Sequence, residues 1–492
     1  MKNKTIMQYF EWYLPADCTL WDKIKDDAEH LKNIGITSVW LPPAYKGTGG
    51  VSEVGYGVYD LYDLGEFNQK GSIPTKYGLK AQYIDAIEEL HKNEIKVLAD
   101  IVFNHKLGAD ELEDVIAIEE LGVNRNVDIG ENKTIKAWTK FTFPGRAGKY
   151  SDFTWNWTHF HGTDWDEATK KAGIYRFYGK HWDEDVDDEN GNFDYLMGAD
   201  VDLNNVDVVN ELIEWTKWYI NTCHIDGFRL DAVKHIRGDF YKNWLEEVRN
   251  EFSQELYAVG EYWRNDVGKL KIYLESVDNG MNLFDVPLHY NLYYASRGEG
   301  NYDMRTILDN TLVKERPGLA VTFVDNHDTQ IGQALESSIM DWFKPLAYAI
   351  ILLRKQGIPC IFYGDYYGMN IAGSNPIKEK IDTLLKVRKD LCYGKQNDYF
   401  DNENIIGWTL EGDNEHPNSG IAVIMSDSIG GTKNMHMGTE FIGTEMYDIT
   451  GNRPEIIKID ENGNADFICN GGSVSVWVKR EENQCQSFLK MS

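Results

Sequence analysis

β-prone runs alternate with helical patterns along this 492-residue chain, and that alternation constrains the fold more than any other feature. Strands are expected at 5–10, 38–41 and 95–103. Between them lie amphipathic segments at 21–34, where Trp21, Ile24, Ala28 and Leu31 share a face ahead of Gly35, and at 79–91. The pattern resumes after Val206, with helices at 208–220 and 244–252 and strands at 227–230, 256–260, 281–286, 319–324 and 359–363. Strand and helix in this order make parallel βαβ units. Three strands before the interruption and five after it match a closed (β/α)8 barrel, which typically takes about 250 residues. The expected fold class is therefore α/β, a TIM barrel formed by 1–104 and 207–394.

The interruption at 105–206 reads as a loop-rich domain inserted after strand 3. It is dense in Asp, Asn, Gly and Trp, as in TWNWTHFHGTDWD and DEDVDDENGNFDY. From 395 to 492 the pattern becomes IIGWTL, GIAVIM, MYDIT, EIIKI and SVSVWV, with a turn signal at Gly451-Asn452, so an all-β C-terminal sandwich is expected. The net charge of −29 argues against nucleic acid and anionic membranes as partners. The longest apolar run, 346–353, is too short to span a bilayer. Six scattered cysteines form no C-x-x-C pair and read as isolated thiols, so a cytoplasmic location is expected, or a secreted one if a leader was trimmed. Aromatic residues make up 13% of the chain, a surplus suited to the flat faces of neutral sugars. Trp408 and Trp477 could offer such a surface in the C-terminal part, although core positions suit them better.

Side chains just past the carboxyl ends of barrel strands converge on one mouth. Strand 3 ends in DIVFNH, bringing Asp100, Asn104 and His105; strand 4 ends in GFRLDAVKH, bringing Arg229, Asp231, Lys234 and His235. Strand 5 ends in VGEYW with Glu261, and strand 7 in FVDNHD with His327 and Asp328. Any one such Asp is more often a helix cap than a catalyst. Together they are costly to bury unless paired or used. Arg229 shares a strand face with Asp231 and favours its ionised form, which suits a nucleophile. Glu261, beside Tyr262 and Trp263, is expected to hold its proton. One ionised and one protonated carboxyl is what cleavage of a glycosidic bond needs.

These segments resemble the signature regions of the α-amylase family, glycoside hydrolase family 13. LMGADVDLNN (196–205) is similar to the fifth region of that family, and MQYFEW (7–12) and GYGVYDLYDLGEF (55–67) resemble its first strand and a sugar-stacking loop. The resemblance implies Asp231 as nucleophile, Glu261 as general acid/base and Asp328 as the third carboxylate, which binds sugar hydroxyls and distorts the ring. It also implies that His105, Arg229 and His327 hold the sugar, with Tyr56 stacking beneath it, and that Lys234, His235 and Trp263 line the leaving-group side. A calcium ion is implied on Asn104, Asp194, Asp200 and the carbonyl of His235. Many family members carry a further calcium–sodium–calcium cluster. Asp183 and Asp202 match it, but His161 and Asn204 stand where that pattern has aspartates, so one calcium is expected. The fifth region and Ala232-Val233-Lys234-His235 resemble those of enzymes that hydrolyse internal α-1,4-glucosidic bonds of starch, glycogen or maltodextrins, acting as a monomer. Alternatives are a maltooligosaccharide-forming amylase or a transglycosylase, and a silent sugar-binding protein, which has no use for an acid/base carboxylate. A calcium-dependent phosphoesterase fits poorly, given the negative charge and the lack of a basic phosphate clamp.

Overall fold

The structure, a computed structural model, describes residues 3–480. Its parallel strands close into a barrel with ring order Ile6–Gln8, Ile358–Phe362, Ala320–Phe323, Asn282–Phe284, Tyr257–Gly260, Gly227–Leu230, Lys96–Ile101 and Ser38–Leu41. Each overlaps one of the expected strands. The agreement has a physical basis: strands covered on both faces are almost continuously apolar and stand out against amphipathic helices. The chain divides into two compact units, Tyr13–Lys32 with Ser38–Phe284, and Met1–Trp12 with Asn33–Thr37 and Asp285–Ser492.

The first unit carries barrel strands two to six and their helices. Helix Leu20–Ile34 buries Leu20, Trp21, Ile24, Ala28 and Leu31, the face anticipated from the sequence. Helix Val206–Cys223 begins at Asn205, whose side chain accepts from the Asp207 and Val208 amides. The interior is aromatic: the Phe103 ring meets Trp215 at 5.6 Å and Trp244 at 5.4 Å, edge to face. The insertion holds more regular structure than its composition suggests. Strands His105–Lys106, Ala199–Val201, Phe160–Asp166, Lys171–Phe177, Glu111–Leu121 and Asn124–Lys140 form a six-stranded sheet in that order. Its long hairpin buries Val115, Ala117, Ile135 and Ala137 but exposes Ile116 on the opposite face and Val127 and Ile129 towards its tip, and the charged residues between them obscure the alternation.

In the second unit, strands Gln396–Tyr399, Ile405–Leu410, Ile421–Ser426, Ser473–Lys479, Glu445–Asp448 and Ile456–Lys458 form another six-stranded sheet, accompanied by the pair Gly431–His436 and Asn464–Cys469. Trp477, Met435, Met446 and Phe467 pack in its core. Trp408 and Trp477 are fully buried, and their indole nitrogens bond to the Leu353 and Ile468 carbonyls. They are core residues, not a sugar-binding surface. Cys18, Cys223, Cys360, Cys392 and Cys469 are unbridged thiols, and Cys485 lies outside the described residues. Among the described residues no helix is long and apolar enough to cross a membrane.

Candidate active site

Barrel strands Gly227–Leu230 and Lys96–Ile101 pair in a register that sets Arg229 beside Asp100. The Arg229 side chain is wholly buried. Its Nη1 donates to Asp231 Oδ1 at 2.5 Å and to Asp100 Oδ1 at 3.0 Å, while Nη2 lies 3.3 Å from Glu261 Oε2. A planar guanidinium can hold several carboxylates in this way because its donors point in fixed directions. The group rests over the Trp40 ring, 4.8 Å from its centroid. The second Asp100 oxygen accepts from Trp40 Nε1 and the Tyr56 hydroxyl, both at 2.9 Å.

Just past Asp231 the chain turns sharply. Ala232 takes φ +51° and ψ +36°, a conformation that residues with a side chain adopt only where the surroundings over-determine it. The turn lets the Ala232 amide donate to Glu261 Oε2 at 3.1 Å, and the Val233 amide to the Glu261 carbonyl at 3.0 Å. Three buried carboxylates thus share one cation, and ionising all of them would leave charge uncompensated away from water. Burial pushes Glu261 up to about 7; Arg229 opposes the shift and the Asp231 charge adds to it. Burial likewise raises Asp100 to about 6 against the pull of Arg229. Of Glu261 and Asp100, Glu261 therefore keeps its proton to the higher pH.

Around this centre, His105 Nε2 lies 2.8 Å from the Tyr56 carbonyl, and burial lowers the pKa of its ring. Lys234 Nζ donates to Glu189 at 3.0 Å and to the Trp263 carbonyl at 3.2 Å. His235 Nδ1 is 2.6 Å from the Phe193 carbonyl; burial and the Lys234 charge drive its pKa well below the ordinary range. The expected residues Tyr56, His105, Arg229, Asp231, Lys234, His235, Glu261 and Trp263 all belong to this first unit.

His327 and Asp328 belong to the second unit, where the loop after strand Ala320–Phe323 carries them. The Gln8 side-chain amide lies 3.0 Å from His327 Nδ1, and Nε2 of the same ring is 3.2 Å from Asp328 Oδ2. The Trp12 ring stacks on His327 at 6.0 Å and 9°. Asn326 Oδ1 accepts from the Asp328 amide at 2.8 Å and the Thr329 amide at 2.9 Å, which fixes the loop.

Of the expected calcium ligands, Asp200 pairs in register with His105, next to Asn104, and His235 bonds to the residue before Asp194. Asp194 and Asp200 also meet His161, with candidate ligand atoms of all three within 4.8 Å of one another. Asp200 is 1% exposed and its Oδ1 has no hydrogen-bond donor. A buried carboxyl oxygen in that state has room for a cation, and an all-oxygen donor set fits calcium. The further cluster does not fit. His161 Nδ1 lies 3.0 Å from Asp200 and 3.2 Å from Asp194, and its Nε2 is 3.1 Å from Asp202. Burial alone would lower the His161 pKa, but hydrogen bonds to Asp194, Asp200 and Asp202 outweigh it and hold the ring protonated. Lys180 takes the other Asp202 oxygen at 2.5 Å, and the Asn204 amide nitrogen donates to Asp183.

Sequence reasoning left Asp100, Trp40 and Gln8 without roles. Asp100 was visible in DIVFNH, and its register with Arg229 is the feature that gives it one. Trp40 and Gln8 sit in strands that look like plain core.

Comparison with known proteins gives concordant findings. Residues 20–408 match the model of the alpha-amylase catalytic domain, and residues 421–478 that of the alpha-amylase C-terminal domain. The chain is 55% identical to an alpha-amylase of Geobacillus stearothermophilus, over 97% of this chain and 87% of that protein. It is 53% identical to a glucan 1,4-alpha-maltohexaosidase of Bacillus sp. strain 707, over 97% and 93%. Identity to the cytoplasmic alpha-amylase of Escherichia coli K12 is 46%, over 98% and 100%. Among solved structures, an Anoxybacillus alpha-amylase shares the fold with a TM-score of 0.65 at 19% identity, over 98% of each chain.

Proposed function

This chain belongs to the alpha-amylase family and is a glycoside hydrolase, and from that premise we propose that it cleaves internal α-1,4-glucosidic bonds of starch, glycogen or maltodextrins with retention of configuration. The observation that carries the reading is the Arg229 cluster, in which Asp231 lies against the cation while burial raises the pKa of Glu261 to about 7. Asp231 attacks the anomeric carbon. The bond to the leaving oxygen breaks as Glu261 gives that oxygen its proton, and a glycosyl ester on Asp231 remains. Glu261, now ionised, takes a proton from water. The water oxygen attacks the same carbon, releasing sugar and restoring both carboxyls. Arg229 holds the nucleophile in line and, with Asp100 fixed by Trp40 and Tyr56, keeps the cluster from rearranging. By the roles carried over from the family motifs, His105 binds the sugar over Tyr56, while Lys234, His235 and Trp263 receive the leaving chain; the same motifs give His327 and Asp328, in the other unit, a sugar-binding role.

We assign one calcium to Asn104, Asp194, Asp200 and the His235 carbonyl. Bound there, it would tie the inserted sheet to the ends of strands three and four and take no part in bond cleavage. The parts 1–104 with 207–394, 105–206 and 395–492 act as barrel, insertion and C-terminal domain of a monomer. The unbridged thiols and the 46% identity to a cytoplasmic relative support a cytoplasmic location. Metal analysis of the dialysed chain is expected to give about one calcium per chain. A chelator lowers its unfolding temperature, and the double variant His161→Asp, Asn204→Asp binds additional cations. Three tightly held cations in the parent chain would contradict the assignment.

Product profiles test the substrate reading. A long maltodextrin is expected to lose viscosity early and give mixed short oligosaccharides, with nothing longer than the starting chain. A dominant single product would favour the maltooligosaccharide-forming reading, for which the 53% identity to a maltohexaosidase speaks. Products longer than the substrate would mean transfer.

A further inference from the structure

Helix Lys344–Leu353 reads KPLAYAIILL, and its first residue is its sole charge. A cation at a helix N-terminus faces the positive end of the dipole, and a buried lysine is rare unless paired. Lys344 is nonetheless buried. We propose that Lys344 is a positioning residue, which acts through Asp325 to fix the loop bearing His327 and Asp328 in the shape that binds sugar, a role that rests on the sugar-binding reading of those two residues above.

The Lys344 side chain reaches two buried carboxylates. Its Nζ donates to Asp365 Oδ1 and lies 3.2 Å from Asp325 Oδ2, while the exposed Asp341 stands farther off at 4.0 Å. Asp365 gives its second oxygen to the Tyr348 hydroxyl of the same helix, at 2.7 Å. Asp325 belongs to the loop. Its Oδ1 accepts from the Thr329 hydroxyl at 3.1 Å and from the Ile339 amide at 3.2 Å. Thr329 Oγ1 in turn accepts from the Asn326 amide at 3.0 Å, and Asn326 Oδ1 holds the amides of Asp328 and Thr329. Residues 325–329 thus form a closed set of hydrogen bonds around His327 and Asp328, and Asp325 is where the ammonium grips it. All of these residues lie in the unit containing Asp285–Ser492. Burial raises the pKa of Asp325 and of Asp365, and the Lys344 charge opposes the shift in both. Burial alone would lower the Lys344 pKa, but the two carboxylates outweigh it and keep the ammonium charged. Asp365 alone would satisfy the buried cation; what the second carboxylate adds is a tether to the loop. A lysine suits the task, since its compact charge offers three donors on a flexible stem.

Asp328 is implied to distort the sugar ring, so a loop released from its tether should lose more in the transition state than in substrate binding. Asp325→Asn and Asp365→Asn make the comparison, because each removes one buried carboxylate from the same ammonium by a nearly isosteric exchange. Asp325→Asn is expected to lower kcat on maltoheptaose about 10- to 100-fold with little change in KM, and to weaken binding of an amino-sugar mimic of the oxocarbenium ion by a similar factor. Asp365→Asn leaves Lys344 on Asp325 and should stay within about two-fold of the parent in both readings. The double variant Lys344→Met, Asp365→Asn preserves the net charge of the cluster but removes the tether, and should behave as Asp325→Asn does. The Kd of the mimic decides, because a merely structural role removes active molecules without changing the affinity of those that remain folded. Parental affinity in both Asp325→Asn and the double variant, or an equal loss in Asp365→Asn, would overturn the proposal. Failure of the sugar-binding reading would look different: Asp328→Asn itself would keep the parental rate and the parental affinity for the mimic.

Discussion

Replacing Asp231 by asparagine is expected to lower starch hydrolysis by about 10⁴-fold or more while leaving the fold intact, because the amide cannot form the glycosyl ester and residual catalysis must come from binding alone. The exchange is nearly isosteric. What it removes is charge: Arg229 loses one carboxylate and keeps Asp100 and Glu261 within reach. With less negative charge nearby, Glu261 becomes easier to ionise, so the variant also loses part of the drive that keeps its acid protonated. Unfolding curves and kcat on soluble starch separate loss of chemistry from loss of structure. Near-parental turnover by the asparagine variant would remove Asp231 from its role.

The second large effect concerns Glu261. A carboxyl raised to about 7 stays protonated in weakly acid conditions, is about half ionised at neutrality and loses its proton above. Protonation is required for leaving-group departure, so kcat/KM is expected to fall about ten-fold per pH unit on the alkaline side of that value. Glu261→Gln should cost about 10²- to 10⁴-fold on starch and flatten the alkaline limb. With an α-maltosyl fluoride the picture changes, since fluoride leaves without a proton: glycosylation proceeds, while the following hydrolysis lacks its base. The variant should give one burst of fluoride per chain and then stall. An alkaline limb that persists in Glu261→Gln would assign that titration to another group, with Asp100 the first to examine.

The barrel was legible in the sequence because its strands are covered on both faces, and Gly227–Leu230 and Lys96–Ile101 stand out as short apolar runs before charged ends. The inserted sheet was not, because its hairpin has one face in solvent and its strand Glu111–Leu121 pairs with the distant Lys171–Phe177, a relation that no local pattern records. At the site, parity along the strand correctly joined Arg229 to Asp231. The register that adds Asp100 is a relation between strands and became visible only in the structure. Exposure was equally hidden: Trp408, Trp477 and Trp342 look alike as letters, and only packing distinguishes the core rings from the exposed one. His161 shows another case: the sequence marks it, with Asn204, as a departure from the family pattern, and the structure sets its ring against Asp194, Asp200 and Asp202.

The central claim, a glycosyl ester on Asp231, can be tested directly. Glu261→Gln mixed with α-maltosyl fluoride, quenched in acid, digested and analysed by mass spectrometry, should show one maltosyl adduct on the peptide containing Asp231. An adduct on any other carboxylate, or sustained turnover of the fluoride with no adduct at all, would contradict it.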